Sequence, residues 1–383
     1  MTHSPTTPTS LDSNLPSVAE WKAIVAKFQR PSISRATWQI INSVVPYCAI
    51  WALMAWSMGG PYWITLLLAI LNGLFVVRIF IIFHDCGHGS FFKSKKLNDI
   101  TGFITGVLTF TPYFHWRWEH SLHHASCGDL ERRGVGDIWT MTIKEYLAAS
   151  PGKKFVYRVS RNPVVLFLIA PVLLFMIYQR FPNKKASARE KHSVYWMNAA
   201  IFTLAALLIW AVGFKHWLMI QVPITMAAGA FGVWMFYVQH QYEDVYWEHH
   251  EEWDYTAAAL NGSSFYKLPR ILQWFTGNIG FHHIHHLSPR IPNYNLEACH
   301  NSHEIFKSVK PITFFSSLRT MGLRLWDEEN RRLVGFGYLR KLQPQQARVL
   351  PAASGILWPR SIVRQDAGTG LFVGRQGCFR SAP

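Results

Sequence analysis

Nothing constrains the fold of this chain more than four long apolar runs, at about 41–59, 62–83, 195–213 and 217–238. Each approaches the roughly 20 residues that a helix needs to cross the hydrocarbon core of a bilayer. Backbone in that core must satisfy its own hydrogen bonds, so helices are the expected form. The runs pair into two hairpins whose turns, Gly59-Gly60-Pro61 and Gly213-Phe214-Lys215, are too short to hold a domain. Two further apolar stretches, 100–114 and 163–179, are short or interrupted, the second carrying Pro163 and Pro171. They read as re-entrant or interfacial helices.

Composition agrees with a membrane protein and excludes disordered and fibrous classes. Only 16% of the 383 residues are charged, against about 25% in ordinary soluble domains. Seventeen tryptophans suit a chain whose rings sit at bilayer interfaces. The five cysteines (Cys48, Cys86, Cys127, Cys299, Cys378) are scattered and contain no C-x-x-C pair, which argues against a disulfide framework or a cysteine-held metal. The Ser, Thr and Pro-rich segment from Met1 to about Pro16 is followed by no apolar core of signal-peptide length, so membrane entry is expected from internal segments.

The net charge of +16 is distributed with a purpose. Lys22, Lys27, Arg30 and Arg35 precede the first run, Lys93, Lys95 and Lys96 follow the second, and Lys184, Lys185, Arg189 and Lys191 precede the third. The two hairpin turns contribute one lysine. Basic residues near spans favour the cytoplasmic side, which puts both termini in the cytoplasm, provided 163–179 re-enters rather than crosses. The last 53 residues, 331–383, carry nine Lys or Arg against one acidic residue, half of the net charge, and their composition predicts poor order. The expected organisation is a cytoplasmic N-terminal segment (1–40), a membrane domain (41–330) and a basic tail (331–383). The spans, and the lack of a groove-reading motif, argue against nucleic acid as the partner of that charge.

Histidine is the unusual residue. Ten of 18 fall within 84–88, 115–124 and 282–286. His84 and His88 in HDCGH are four apart at the end of the second run, so a helix projects both from one face. His120, His123 and His124 in HSLHH, and His282, His285 and His286 in HHIHH, repeat the same gathering through i, i+3 and i+4 spacing. A single HxxxH pair is more often coincidence than a site; three clusters meeting at one membrane face are not. Neutral imidazole is the commonest metal ligand and suits iron, zinc, copper and nickel. Eight such ligands exceed what one ion uses, since a catalytic zinc takes about four and leaves a position open, so two metals are indicated.

HDCGHGSFF, WRWEHSLHH and NIGFHHIHHLSPRIPNYNL resemble, in order and spacing, the three histidine boxes of the integral-membrane fatty acid desaturases. The resemblance runs from about residue 40 to 330 and is strongest to bacterial acyl-lipid enzymes acting toward the methyl end (Δ12 or omega type), although HDCGH replaces the HECGH common in plant relatives. It implies an all-α integral membrane fold, two hairpins with a helical cytoplasmic cap that holds a di-iron site. It also implies a ligand histidine after the last span, which His240 in YVQHQYED matches. Carried over residue by residue, the iron ligands are His84, His88, His120, His123, His124, His240, His282, His285 and His286.

Ligating imidazoles usually give their second N–H to a carboxylate or carbonyl. Asp85, Glu119, Asp129, Asp137, Glu243 and Asp244 lie beside the boxes as candidates for that role, with Arg132 and Arg133 as partners for such acids or for headgroups. His283 and His115 read as structural, His249 and His250 in EHHEEWD as solvated surface, and His192, His216, His300 and His303 as incidental. Tyr113, Trp116, Trp118, Trp139 and Tyr294 could line a substrate tunnel but read more readily as interfacial anchors.

Removing hydrogen from an unactivated methylene needs a metal centre and O2. The resemblance implies two irons, an acyl-lipid substrate and a cis double bond as product. No G-x-G-x-x-G, H-P-G-G or cysteine quartet is present, so electrons are expected from a separate ferredoxin or cytochrome b5 type donor. The expected location is a bacterial cytoplasmic membrane. A hydroxylase, acetylenase or carotenoid-modifying enzyme with the same boxes is the nearest alternative; a non-catalytic metal or haem membrane protein is the alternative of a different class.

Overall fold

The computed structural model of the protein describes residues 17–134 and 136–342. Among them the helices are α1 (Val18–Val25), α2 (Ile33–Ser57), α3 (Tyr62–His88), α4 (Lys95–Leu108), α5 (Tyr113–Ser126), α6 (Ile143–Ala148), α7 (Pro151–Ser160), α8 (Ala170–Met176), α9 (Ala188–Val212), α10 (Phe214–His240), α11 (Tyr255–Asn261), α12 (Arg270–Phe275), α13 (His282–Leu287), α14 (Asn293–Asn301), α15 (Glu304–Lys307) and α16 (Phe314–Thr320). The four helices α2, α3, α9 and α10 are long and apolar enough to cross a bilayer. They form the expected two hairpins, and each runs further toward the histidine end than the apolar pattern alone shows. The polar residues that α3 and α10 carry there are buried against neighbouring helices, so hydropathy drops while the helix continues.

Within this arrangement α3 and α10 are central and α2 and α9 peripheral. Gly73 makes the central contact possible: a Cβ there would come within 2.7 Å of the Ala227 Cβ. Small residues at such crossings let backbones approach where lipid supplies no hydrophobic drive. The outer helices expose tryptophan at both ends, Trp38 and Trp56 on α2, Trp196 and Trp210 on α9. Trp38 and Trp56 stand 18 positions apart, about 27 Å along a helix, close to a hydrocarbon thickness. The ends of α3 and α10 that carry His84, His88 and His240 lie on the Trp38 and Trp196 side.

The interrupted stretches resolve into corners. Residues 100–114 are the end of α4, a turn through Phe110, whose φ is +56°, and the start of α5. Residues 151–180 form a helix pair bent by 63°, a broken or re-entrant segment, with a π-turn at Val165–Ile169 leading into α8. Pro171 of α8 packs against Gly229 of α10.

Five short strands were not foreseen. β1 (Met141–Thr142), β4 (Leu325–Asp327) and β5 (Arg332–Val334) form one sheet in the order β1-β4-β5; β2 (Phe265–Lys267) and β3 (Pro311–Thr313) pair in parallel. At two or three residues each they are too short to show a period-two pattern. β5 lies just past residue 330, where it pairs antiparallel with β4 and its Leu333 is fully buried. The rest of the basic tail, 343–383, and Met1 to Pro16 lie outside the described residues.

Candidate metal centre

The last turns of α3 and α10, the second half of α5 and the short helix α13 bring nine histidines together. α3 ends at Gly89, whose left-handed φ of +68° caps the helix directly after His88. His120 and His124 lie one turn apart on α5; His285 and His286 are adjacent on α13 and serve different groups.

Ring nitrogens of His84, His88, His120, His124 and His285 all lie within 4.8 Å of one another. A second set holds His123, His240 and His286, with the Cys127 thiol on its flank. His282 joins this set through His240, Nε2 to Nε2, at 2.9 Å. Other nitrogen pairs are equally close: His123 to His240 at 3.3 Å, His124 to His120 at 3.1 Å and His285 to His124 at 3.0 Å. An ion held about 2.0–2.1 Å from each imidazole brings neighbouring ligand nitrogens to roughly 3 Å from each other. His88 Nε2 and His286 Nε2 are buried without a hydrogen-bond partner among the described residues, an unfavourable state that a metal would relieve. Burial, reinforced by neighbouring imidazoles, holds His120, His124, His282, His285 and His286 well below the ordinary histidine range, so they are neutral and keep a lone pair to offer. The residues fit two ions of a metal that prefers imidazole.

Three outer partners turn rings inward. Asp85 Oδ1 is 3.1 Å from His84 Nδ1, while its other oxygen accepts from the Asn293 backbone and side-chain amides at 2.6 and 2.8 Å. Asp137 Oδ1 lies 2.6 Å from His123 Nδ1. His240 Nδ1 faces the Gly262 carbonyl at 3.1 Å, leaving Nε2 toward His123 and His282. Each contact fixes which nitrogen can point at an ion. Cys127 Sγ is 3.4 Å from that same His240 Nδ1, so it approaches the edge of the ring away from His282.

The remaining acidic candidates are placed elsewhere. Glu119 sits 3.7 Å from His115 Nδ1, one helical position off the ligand face of α5, and burial raises its carboxyl pKa. Asp129 accepts from the backbone of Glu131 and Arg132 and pairs with His250 at 2.7 Å. Glu243 and Asp244 make no side-chain bond to a box histidine among the described residues. Arg133 pairs with Glu145 at 2.7 Å and Arg132 reaches Asp129 at 4.0 Å.

Other histidines separate cleanly. His283 is buried and bonds His300 at 3.1 Å, so His300 is a packed partner rather than incidental. His115 is buried and accepts from the Asn183 amide at 2.9 Å. His249 and His250 are exposed. Two of the expected interfacial aromatics turn inward instead: Tyr113 is fully buried and donates to the Cys86 carbonyl at 2.7 Å, and Trp116 stacks on His120 with 4.3 Å between rings. Tyr294 is part-buried and reaches the Ser32 amide at 2.9 Å. Cys127, Gly262 and Asn293 carried no signal in the sequence, because each acts on a residue distant in the chain, Cys127 and Gly262 by a single atom and Asn293 by its backbone and side-chain amides.

Hairpin spans that carry two sets of imidazoles at one end define a helical membrane protein with a histidine-built metal centre. The chain belongs to the fatty acid desaturase family, whose model, described as "Fatty acid desaturase", matches residues 61–314. It is 47% identical over 318 residues, 83% of this chain and 90% of the other, to a fatty acid desaturase of Bacillus subtilis. It is 29% identical over 240 residues to an sn-1 oleoyl-lipid 12-desaturase of Synechocystis, covering 60% of this chain and 66% of the relative. An sn-1 acyl-lipid omega-3 desaturase (ferredoxin) of Nostoc is 26% identical over 330 residues, 80% of this chain and 84% of its own length.

Proposed function

We propose that the protein is an acyl-lipid desaturase that uses two histidine-held irons, O2 and two electrons from a separate donor to place a cis double bond in a membrane acyl chain. The observation that carries this is the division of nine imidazoles into two adjacent sets. His84, His88, His120, His124 and His285 would hold one iron; His123, His240, His282 and His286 the other. When bound, the pair would supply the oxidising power to remove two hydrogens from neighbouring methylenes, which with O2, two electrons and two protons end in two waters.

The chain's own groups do the positioning. Asp85, anchored by Asn293, and Asp137 orient His84 and His123, and the Gly262 carbonyl orients His240. Trp116, Phe80 and Phe83 form an aromatic wall against His84 and His120, which keeps bulk water from that side. Basic residues cluster at the histidine end of the spans, which supports a cytoplasmic centre and cytoplasmic ends of the described chain. The same positive excess favours an acidic electron carrier such as a ferredoxin, with cytochrome b5 as the other class of donor. The Bacillus subtilis relative supports a bacterial cytoplasmic membrane.

Expression in a host that makes only saturated and monounsaturated lipids, followed by mass spectrometry of fatty acid derivatives, tests the reaction. New cis double bonds that require oxygen are expected. Hydroxy lipids without new double bonds would show the hydroxylase alternative instead.

A further inference from the structure

Helix α4 is inverted relative to a soluble amphipathic helix. Its inner face is small and polar, with Asn98, Gly102, Thr105 and Gly106 buried, while Leu97, Ile100 and Ile104 are exposed. Such a face suits acyl chains. Lys93, Lys95 and Lys96 stand exposed at the start of the same helix, at headgroup level on the histidine side. Between these features runs an open groove of about 590 Å³, lined by Lys95, Lys96, Asp99, Ile100, Phe103, Ile104 and Phe114.

Its charge is one-sided. Asp99 is the groove's one acid, and it already faces Arg117 at 3.5 Å and accepts from the Tyr113 hydroxyl at 3.3 Å. The exposed Arg189 lies over the Phe114 ring at 4.1 Å and adds a further cation beside the groove. Among the described residues no carboxylate pairs with Lys95, Lys96 or Arg189, which leaves three uncompensated cations beside an apolar floor. A zwitterionic headgroup would bring its own ammonium to this rim; a phosphodiester with net negative charge would not. We propose that the α4 groove is a docking site for an anionic phospholipid, its phosphate at Lys95 and Lys96 and its tails along Ile100, Phe103 and Ile104, with Arg189 adding positive charge beside Phe114. The site is one aromatic layer from the metal centre, since Phe114 packs on Tyr113, which bonds the Cys86 carbonyl between His84 and His88. It is independent of the iron chemistry.

Native mass spectrometry of the full chain released from nanodiscs with equal phosphatidylglycerol and phosphatidylcholine tests the proposal without any turnover. Preferential retention of phosphatidylglycerol is expected, and it should weaken roughly fivefold for each lysine removed in Lys95→Gln and Lys96→Gln while surviving in the arginine variants. Ile104→Trp, which fills the trough and leaves every charge in place, should abolish it. Lys184→Gln with Lys185→Gln, outside the groove, should not. Retention that follows bulk lipid composition in the wild type would overturn the proposal whatever the variants do. So would displacement of the lipid by millimolar inorganic phosphate, which would mark a free-anion site, or full retention in Ile104→Trp, which would mark unspecific surface attraction.

Discussion

Two histidine-rich regions of this protein meet opposite fates. At the centre, nine rings, eight from the boxes and His240, are packed against one another, and burial holds His120, His124, His285 and His286 well below the ordinary histidine range. His249 and His250, in EHHEEWD, stand in solvent and face carboxylates, Glu131 and Asp129, each at 2.7 Å. The hydrogen bond to Glu131 raises the His249 pKa above its ordinary value near 6.5. Rings crowded on other imidazoles offer lone pairs to a metal, whereas exposed His249, with only a carboxylate for a neighbour, holds a proton more readily. Neighbours, more than residue type, decide which histidines belong to the centre.

The comparison can be broken most severely at His124, whose ring touches His88, His120 and His285 in one set and His286 in the other. His124→Ala should abolish new double bonds and lower bound iron while leaving the protein in the membrane fraction. Asp137→Asn keeps the shape but weakens the orientation of His123, and should reduce metal affinity on the order of 10- to 100-fold, with activity partly restored by excess iron. Both variants are checked by lipid analysis beside metal content.

His283 sharpens the contrast, because it is a buried histidine that faces away from both sets. Burial pushes His283 down to about 3 and His300 to about 4. His283→Ala should lower thermal stability by about 1–3 kcal/mol through the partner left behind, yet retain the metal. The smallest effect belongs to the surface: His249→Ala should leave activity and iron intact and change stability by less than about 0.5 kcal/mol. What it does contribute has a definite window. A raised histidine pKa gives stability that is fully present below 6.5 and fades as pH rises through the higher folded value; the lowered Glu131 pKa makes the same contact fade again in acid. Melting curves of wild type and variant at pH 6 and pH 9 should differ only at the lower pH.

Much of this was legible in the sequence because it is local. Span positions follow from apolar runs, and the i, i+3 and i+4 spacing of each box follows from helical geometry, so three short segments could name eight rings. His240 rested on family resemblance alone. The division of the rings into two sets was not legible: adjacent His123 and His124, or His285 and His286, separate only because α5 and α13 meet at one crossing. Asp85 and Asp137 could not be told from Glu119, Glu243 and Asp244, since all flank a box and only the chain path aims two of them at a ring. The Gly262 carbonyl and the Cys127 thiol depend on loops closing over His240. The strands of the cap were too short to leave a pattern.

Iron quantification most directly tests the central claim that the nine rings form two adjacent metal sites. Protein purified without oxygen and supplied with ferrous iron should hold two irons per chain by elemental analysis, with a Mössbauer spectrum of nitrogen-rich ferrous sites, and His124→Ala should hold fewer. A single zinc, a haem absorption band, or two irons undiminished in His124→Ala would contradict it.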